Sequence, residues 1–252
     1  FIVAYNEESH IGQVIDALVD FDEVIVVDSG STDLTVKIAT EKGAKVVSHP
    51  WMGFAKQKEF AMSLCRNNFV LNVDADEILS KDVIEFIRKT HNNDENIAMR
   101  LYFEDIFWNN PMSPHSSKRS IVRGFCRGQA QYPKDRKVHE NLILSRGVKE
   151  IKVPGLVIHY GYETTEILMQ KKNKYSSLKA DEKFSKNIKP SLIKLVSIFF
   201  ITLIKSYFFQ RMFLSGVRGL VHSYIESIYA FLKEAKLFEL YYVNPDKYNV
   251  KK

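Results

Sequence analysis

The stretch VIVVDSGSTD, residues 24–33, decides the fold. Its β-branched apolar run is typical of a buried strand, and the polar residues from Asp28 onward supply a turn and a helix cap. The same alternation of strand and helix continues on both sides, with strands expected at 2–4, 44–48 and 69–73 and helical spacing at 10–18, 32–42 and 55–65. This alternation predicts an α/β fold in which helices flank a mostly parallel sheet on both faces.

Charge is divided unevenly along the 252 residues. Residues 1–110 carry 10 basic and 19 acidic side chains, a net charge of −9, whereas residues 111–252 carry 26 and 11, a net charge of +15. The basic half indicates an anionic partner, such as a membrane surface, phosphate or nucleic acid. A hydrophobic content of 45% excludes a disordered or fibrous chain.

The cysteine content and the first residues indicate the compartment and the state of the N-terminus. Cys65 and Cys126 cannot form a disulfide framework, so we expect a reducing, cytoplasmic location. The chain opens on Phe1 without an initiator Met or a basic leader, and it enters the first strand at once. We therefore expect that the natural N-terminus is missing.

Polar clusters follow three of the predicted strands directly, at residues 5–8, 28–32 and 74–77. Because ligands bind at the carboxyl ends of parallel strands, the three clusters together predict one site, although each alone could be an ordinary turn. Asp74 and Asp76 are one residue apart, so their carboxylates can hold Mg²⁺ or Mn²⁺ while phosphate oxygens and water complete the coordination. The chain lacks the glycine-rich loops of dinucleotide oxidoreductases and P-loop NTPases.

Four segments together resemble glycosyltransferase family 2 with its Rossmann-like GT-A fold. They are AYNEE at 4–8, VDSGSTD at 27–33, WMGFAKQK at 51–58 and NVDADE at 72–77. Within that family, residues 123–130, 138–140 and 158–160 resemble bacterial enzymes that add glucose or a related hexose to the lipopolysaccharide core. The resemblance implies a divalent-metal-dependent hexosyltransferase that takes a nucleotide sugar, in particular a UDP-sugar, and a glycan or lipid-linked acceptor.

The resemblance also implies roles for residues around the nucleoside of the donor. Tyr5 would stack on the nucleobase, and Glu7 would face the nucleoside. Asp28 would accept a hydrogen bond from a uracil-like imide N–H, a task that suits a carboxylate because it only accepts. Asp74 would lie near the ribose.

Metal and diphosphate contacts are expected from a second group of residues. Asp76 would bind the metal, and His159 would be a second ligand or a phosphate contact, with a purely structural role as the alternative. Arg123 and Arg127 could clamp the diphosphate bidentately, or belong to a solvated strand edge. Lys58 could add positive charge near the donor, or be a solvated helix residue.

Glu140 is the candidate general base that would deprotonate the acceptor hydroxyl, a role worth about 10²–10⁴-fold in rate. Nearby cations such as Arg136 could keep this carboxylate ionised, although Glu140 could also be a surface residue paired with that arginine. Asp105 and Glu104 are the reserve candidates. With one base and no second carboxylate placed as a nucleophile, direct displacement with inversion at the anomeric carbon is the simpler scheme.

The C-terminal region is predicted to be helical, basic and amphipathic. We expect a catalytic domain over 1–162, with a nucleotide-sugar part at 1–110 and an acceptor part at 111–162, followed by the helical region at 163–252. Only 10 uncharged residues separate Lys194 from Lys205, which argues against a transmembrane helix. We expect peripheral attachment to anionic lipid on the inner face of the cytoplasmic membrane; packing on the catalytic domain or on a second subunit is the alternative.

Two other functions are compatible with parts of the pattern. A nucleotidyltransferase would share the α/β half and the metal carboxylates, but no triphosphate loop lined by Lys or Arg lies near residues 5–12. A nucleic-acid-binding protein would account for the basic half. The aromatic residues of that half are spaced as apolar helix faces rather than as stacking platforms, so no nucleic-acid partner is expected.

Overall fold

A computed structural model describes residues 1–91, 96–133 and 142–244. The chain divides into two compact units. The first unit contains the described residues within 1–105 and 118–160, and the second contains residues 106–117 and 161–244.

The first unit contains the predicted parallel sheet, whose strands are, in spatial order, β3 (Lys45–Ser48), β2 (Ile25–Asp28), β1 (Ile2–Ala4) and β5 (Val73–Asp74). All four residues of β2 are buried, as expected for a central strand that is covered on both faces. Val26 packs into one apolar cluster, whereas Ile25 and Val27 pack into the other, because successive side chains point to opposite faces. A further strand, β4 (Phe69–Leu71), comes just before β5 in the chain. The helices are α1 (Ile11–Asp16), α2 (Thr35–Glu41), α3 (Phe54–Ser63) and α4 (Lys81–Thr90).

The strand predicted at 69–73 is divided at Asn72 between two sheets. Its first part, β4, pairs antiparallel with β9 (Ser120–Cys126), while its second part, β5, pairs parallel with β1. The second sheet is mixed and has the strand order β4-β9-β7-β13-β6, with two further strands, β8 and β12, paired to β7. Its remaining strands are β6 (Glu77–Leu79), β7 (Ile97–Phe107), β8 (Asn110–Pro111), β12 (Lys149–Lys152) and β13 (Val157–His159); β10 (Ala130–Gln131) and β11 (Ile143–Leu144) form a separate antiparallel pair.

The mixed sheet brings the end of β13 beside the carboxylate-rich turn. His159 lies opposite Glu77 of β6 and opposite Asp105 of β7, and the Tyr160 N–H donates to the Asp76 carbonyl at 3.0 Å. Residues more than 80 positions apart in sequence therefore meet at one place.

The second unit is helical, as predicted. It contains α5 (Thr165–Ser185), α6 (Leu192–Ile204) and α7 (Gly216–Val243), with a π-helical turn at Lys205–Phe209 and a 3-10 turn at Met212–Ser215 between the last two helices. Thr164 and Ser191 cap the first two helices, because their hydroxyls accept from the backbone N–H groups of Ile167 and Lys194.

Among the residues that the structure describes, one segment is long and apolar enough to cross a membrane. Leu192–Phe209 has 18 residues and a mean hydropathy of 1.9, and 6% of it is buried. The argument from the 10 uncharged residues between Lys194 and Lys205 therefore does not exclude a span, because long cationic side chains near the ends of a helix can reach the interface. Length and composition alone do not identify a span either, since core helices of soluble proteins and signal sequences have the same properties.

Candidate active site

The loops after β1 and β2 are tied together by hydrogen bonds. The Asn6 N–H donates to Ser31 Oγ at 2.9 Å, and Asn6 Oδ1 accepts from the Thr32 N–H at 2.8 Å. Asn6 has a φ of +54°, a left-handed conformation that asparagine tolerates better than most residues. Tyr5 precedes it and is 58% exposed, so an aromatic ring lies on a loop that the network holds in place.

Asp28 ends β2 and is buried. Its Oδ2 accepts from the N–H groups of Gly30 and Ser31 at 3.0 and 3.1 Å, and these bonds fix the carboxylate at the carboxyl edge of the sheet. Glu7 is half-buried at the same edge, where its N–H donates to Thr35 Oγ1 at 2.8 Å.

Asp74 is held between two cations. Lys58 Nζ lies 3.0 Å from its Oδ1, and Arg123 Nη2 donates to its Oδ2 at 2.6 Å. Burial alone raises the pKa of the Asp74 carboxyl, but the charges of Arg123 and Lys58 outweigh it and hold this pKa well below its usual value. Lys58 is therefore a buried partner of Asp74 rather than the solvated helix residue that was its alternative.

Arg123, expected to clamp the diphosphate, contacts carboxylates of the protein itself in this structure. Arg123 is buried, and besides Asp74 its guanidinium donates to Asn72 Oδ1 at 2.8 Å and to Glu77 Oε1. Burial lowers the pKa of Arg123, but the charges of Asp74 and Glu77 outweigh that effect and raise it. Its charge is neutralised by carboxylates of the protein itself, so its position is that of a structural anchor beneath the site.

Arg127, expected beside Arg123 at the diphosphate, lies away from the strand-end carboxylates. It follows β9, which runs antiparallel to β4, and its N–H donates to the Asn68 carbonyl just before β4 begins. Its Nη1 donates to the Cys65 carbonyl at 2.8 Å. It therefore lies at the amino end of β4, whereas the carboxylates follow the carboxyl end of the same strand.

Asp76, His159 and Asp105 form a line of contacts. His159 Nδ1 lies 2.7 Å from Asp105 Oδ1, and His159 Nε2 lies 3.6 Å from Asp76 Oδ2. All three residues are largely buried. Since Asp105 is an acceptor, Nδ1 carries the proton of that bond, and in the neutral ring Nε2 then carries the lone pair that points toward Asp76.

Asp105 keeps its charge in this position. Burial alone raises the pKa of its carboxyl, but the hydrogen bond from His159 and the charge of Arg119, whose Nε donates at 3.0 Å, hold the pKa far below its usual value. Asp105 already accepts hydrogen bonds from His159 and Arg119, so this reserve candidate for the general base is engaged by two donors. Its contact with His159 was not anticipated, because register between β7 and β13 has no local sequence signal.

The structure describes one of the two other candidate bases, Glu104, but not Glu140. Glu104 is buried and paired with Lys118 at 2.6 Å, so it is already engaged. Glu140, the first choice, lies outside the described residues, as does its neighbour Arg136.

The sequence matches the family described as Glycosyl transferase family 2 over residues 1–143. It is 35% identical over 251 residues to "Uncharacterized glycosyltransferase RT0209" of Rickettsia typhi, covering 95% of this chain and 86% of that protein. It is also 30% identical over 246 residues to "Lipopolysaccharide core biosynthesis glycosyltransferase LpsC" of Rhizobium meliloti, covering 95% and 91%.

Two solved structures are among those that match. Glucosyl-3-phosphoglycerate synthase from Mycobacterium tuberculosis, in complex with Mn²⁺, uridine-diphosphate and glucosyl-3-phosphoglycerate, has a TM-score of 0.34 with 30% identity over 42% of each chain. S. aureus TarS 1–349 has a TM-score of 0.44 with 15% identity, covering 97% of this chain and 90% of that one.

Proposed function

Since the chain belongs to glycosyltransferase family 2 and is a glycosyltransferase of the GT-A fold, we propose that it moves a hexose from a UDP-sugar to a lipopolysaccharide-core or lipid-linked glycan, with inversion. The observation that carries this proposal is the meeting of Asp28, Asp74 and Asp76 at the carboxyl edge of the sheet with His159 beside them. The name of LpsC, a relative along nearly the whole chain, supports the choice of acceptor. Family membership favours glycosyl transfer over nucleotidyl transfer.

The nucleoside would bind across the loops after β1 and β2. Tyr5 presents an exposed ring for stacking, and Asp28 presents a carboxylate. The N–H groups of Gly30 and Ser31 donate to Oδ2 of Asp28, and that of Ser31 also lies 3.3 Å from Oδ1. A carboxylate offers about four acceptor sites, so Oδ1 can still accept from an imide N–H. Uracil carries such a group, and this is the reason for proposing a UDP-sugar. Glu7 and Asp74 would contact the ribose from the same edge of the sheet.

Asp76 and His159 fit a divalent metal. The Asp105 contact fixes the ring of His159 so that Nε2 points toward Asp76 Oδ2, which matches the usual arrangement of a metal-binding histidine backed by a carboxylate. Within the described ranges no group of three or more His, Cys, Asp or Glu could hold a metal, so diphosphate and water would supply the other ligands. When bound, Mg²⁺ or Mn²⁺ would stabilise the charge of the departing diphosphate.

Glu140 remains the proposed base. Glu104 and Asp105 are both committed to cations, so neither is poised to take a proton from an acceptor hydroxyl. A single carboxylate that deprotonates the hydroxyl as it attacks the anomeric carbon supports direct displacement, which inverts that carbon. The proton moves to the carboxylate, and the electron pair of the broken bond leaves with the nucleotide diphosphate.

The test measures nucleotide release from a panel of nucleotide hexoses, with and without Mn²⁺, for the wild type, Asp76→Asn and Glu140→Gln. We expect a UDP-hexose to be turned over in the presence of metal, and both variants to lose about 10²-fold or more in kcat. Asp82→Asn, an exposed carboxylate on α4, is the matched control and should retain full activity. Full turnover by Asp76→Asn would remove Asp76 from the metal site, and full turnover by Glu140→Gln would remove Glu140 as the base.

A further inference from the structure

The helix α6 and the turn that follows it present a continuous exposed apolar surface. No side chain of α6 is buried, and the π-helical turn extends the surface with Phe209, which is 78% exposed. We call this surface the α6 apolar face. It consists of Leu192, Ile193, Val196, Phe200, Ile201, Ile204, Phe208 and Phe209, with Phe213, Leu214 and Val217 beyond the turn.

The opposite side of the same segment packs on α7. Ser206 is buried and donates to Ser223 Oγ at 3.0 Å, and the rings of Phe199 and Tyr224 are 6.0 Å apart in an edge-to-face contact. One side of the segment is therefore covered by protein and the other is open along its whole length. This one-sided exposure is the pattern of a helix lying in an interface, whereas a helix crossing a bilayer alone contacts lipid all round.

The stretch of sequence that carries the face is basic, and one of its cations, Lys194 of α6, is paired with Glu234 of α7 at 3.2 Å. Between Glu182 and Glu226 the sequence contains seven Lys and Arg residues and no acidic residue. Lys205 and Arg211 are exposed on either side of the Phe208–Phe209 pair, and within the described part of the chain neither has an ion-pair partner. Exposed aromatics between such cations match a surface that is apolar below and anionic above.

We propose that the α6 apolar face binds an anionic lipid bilayer, with α6 lying in the plane of its interface. The aromatic and aliphatic side chains enter the boundary between headgroups and acyl chains, and Lys205 and Arg211 contact lipid phosphate. A second copy of this chain would bury the same apolar residues, but it would place the cations of one copy against those of the other, because the stretch has no acidic residue. The proposal does not depend on which sugar the enzyme transfers.

The experiment is co-sedimentation of the whole chain with phosphatidylglycerol vesicles and, separately, with phosphatidylcholine vesicles. We expect binding to the former that weakens as salt is raised, and weaker binding to the latter. Phe208→Ser with Phe209→Ser should lower the partition coefficient at least about tenfold, and Lys205→Gln with Arg211→Gln should lower it about fivefold for each cation.

The matched control replaces two exposed apolar residues of the first unit, Val19→Ser with Leu34→Ser, and should leave binding unchanged. Thermal melting and nucleotide release equal to wild type show that each variant is folded. Absence of binding to phosphatidylglycerol, or equal binding by the Phe208/Phe209 variant, would overturn the proposal. Retention on vesicles after alkaline carbonate would indicate a span instead, and doubled mass by light scattering without vesicle binding would indicate a dimer.

Discussion

Replacing Arg123 by methionine should destabilise the first unit strongly. The substitution keeps an apolar stem of similar length but removes the cation that Asn72, Asp74 and Glu77 share. Glu77 is 2% exposed, and the next cation, Arg119 Nη2, is 3.8 Å from its Oε1. Removing one partner of a buried ion pair costs about 3–5 kcal/mol, because the other charge stays buried without compensation.

The loss should depend on pH in a defined direction. Burial already raises the pKa of Glu77 against the charge of Arg123, and removing that charge raises it further. A carboxyl whose pKa is higher in the folded than in the unfolded state destabilises the protein above the unfolded value of about 4.3, and it ceases to do so once it is protonated. The difference between wild type and Arg123→Met should therefore be full at pH 7.5 and smaller at pH 5.

Urea denaturation followed by circular dichroism at the two pH values measures this difference. The double variant Arg123→Met/Glu77→Gln should recover about 1–3 kcal/mol of the loss, because it removes the stranded charge. Arg66→Met is the control: this arginine pairs with Glu23 on the surface and is 78% exposed, so its removal should cost less than about 1 kcal/mol. A cost below about 1 kcal/mol for Arg123→Met, or equal costs at both pH values, would refute the anchoring role and return Arg123 to the candidates for diphosphate binding.

Three further predictions follow from other contacts. Asp105→Asn should weaken Mn²⁺ binding, measured by electron paramagnetic resonance in the presence of UDP, about 10–100-fold, because the histidine loses its orienting carboxylate; unchanged affinity would contradict this role. The lowered pKa values of Asp74 and Asp105 contribute stability that is present above the unfolded carboxyl pKa and is lost as pH falls below about 4. The melting temperature of the wild type should therefore fall as pH is lowered through this range, and that of Asp105→Asn should fall less. Gly219→Ala should cost about 1–3 kcal/mol or more in urea denaturation, because its new Cβ would lie 1.8 Å from the Met212 carbonyl oxygen, whereas Gly128→Ala meets nothing within 4 Å and should be near neutral.

The parallel sheet and its strand-end carboxylates were predictable from local pattern. Buried strands that alternate with helices constrain the topology, and parallel strands place their carboxyl ends at one edge, so Asp28 and Asp74 had to lie near each other. Asn72 shows the limit of that reasoning. The apolar run 69–73 looks like one strand, but its two parts pair with different sheets.

Charge alone could not decide which ionisable residues face a ligand. Arg123 and Arg127 look equivalent in sequence, yet one neutralises buried carboxylates and the other bonds carbonyls at the far end of β4. The difference arises from the direction of β9 and from the burial of Arg123, and neither can be read from the neighbouring residues in the sequence.

The sequence by itself determined the α/β class and the strand-end position of Asp76, the proposed metal ligand, because these depend on periodicity and on residue types that are adjacent in the chain. The family could be named from the sequence as well, because the motifs that resemble it are short and local. Only the tertiary structure decided that His159 lies between Asp76 and Asp105, and that one face of α6 stays uncovered. Both outcomes depend on pairing between distant segments. Such pairing is set by register and by competition for buried surface across the whole chain, and no short stretch of residues encodes it.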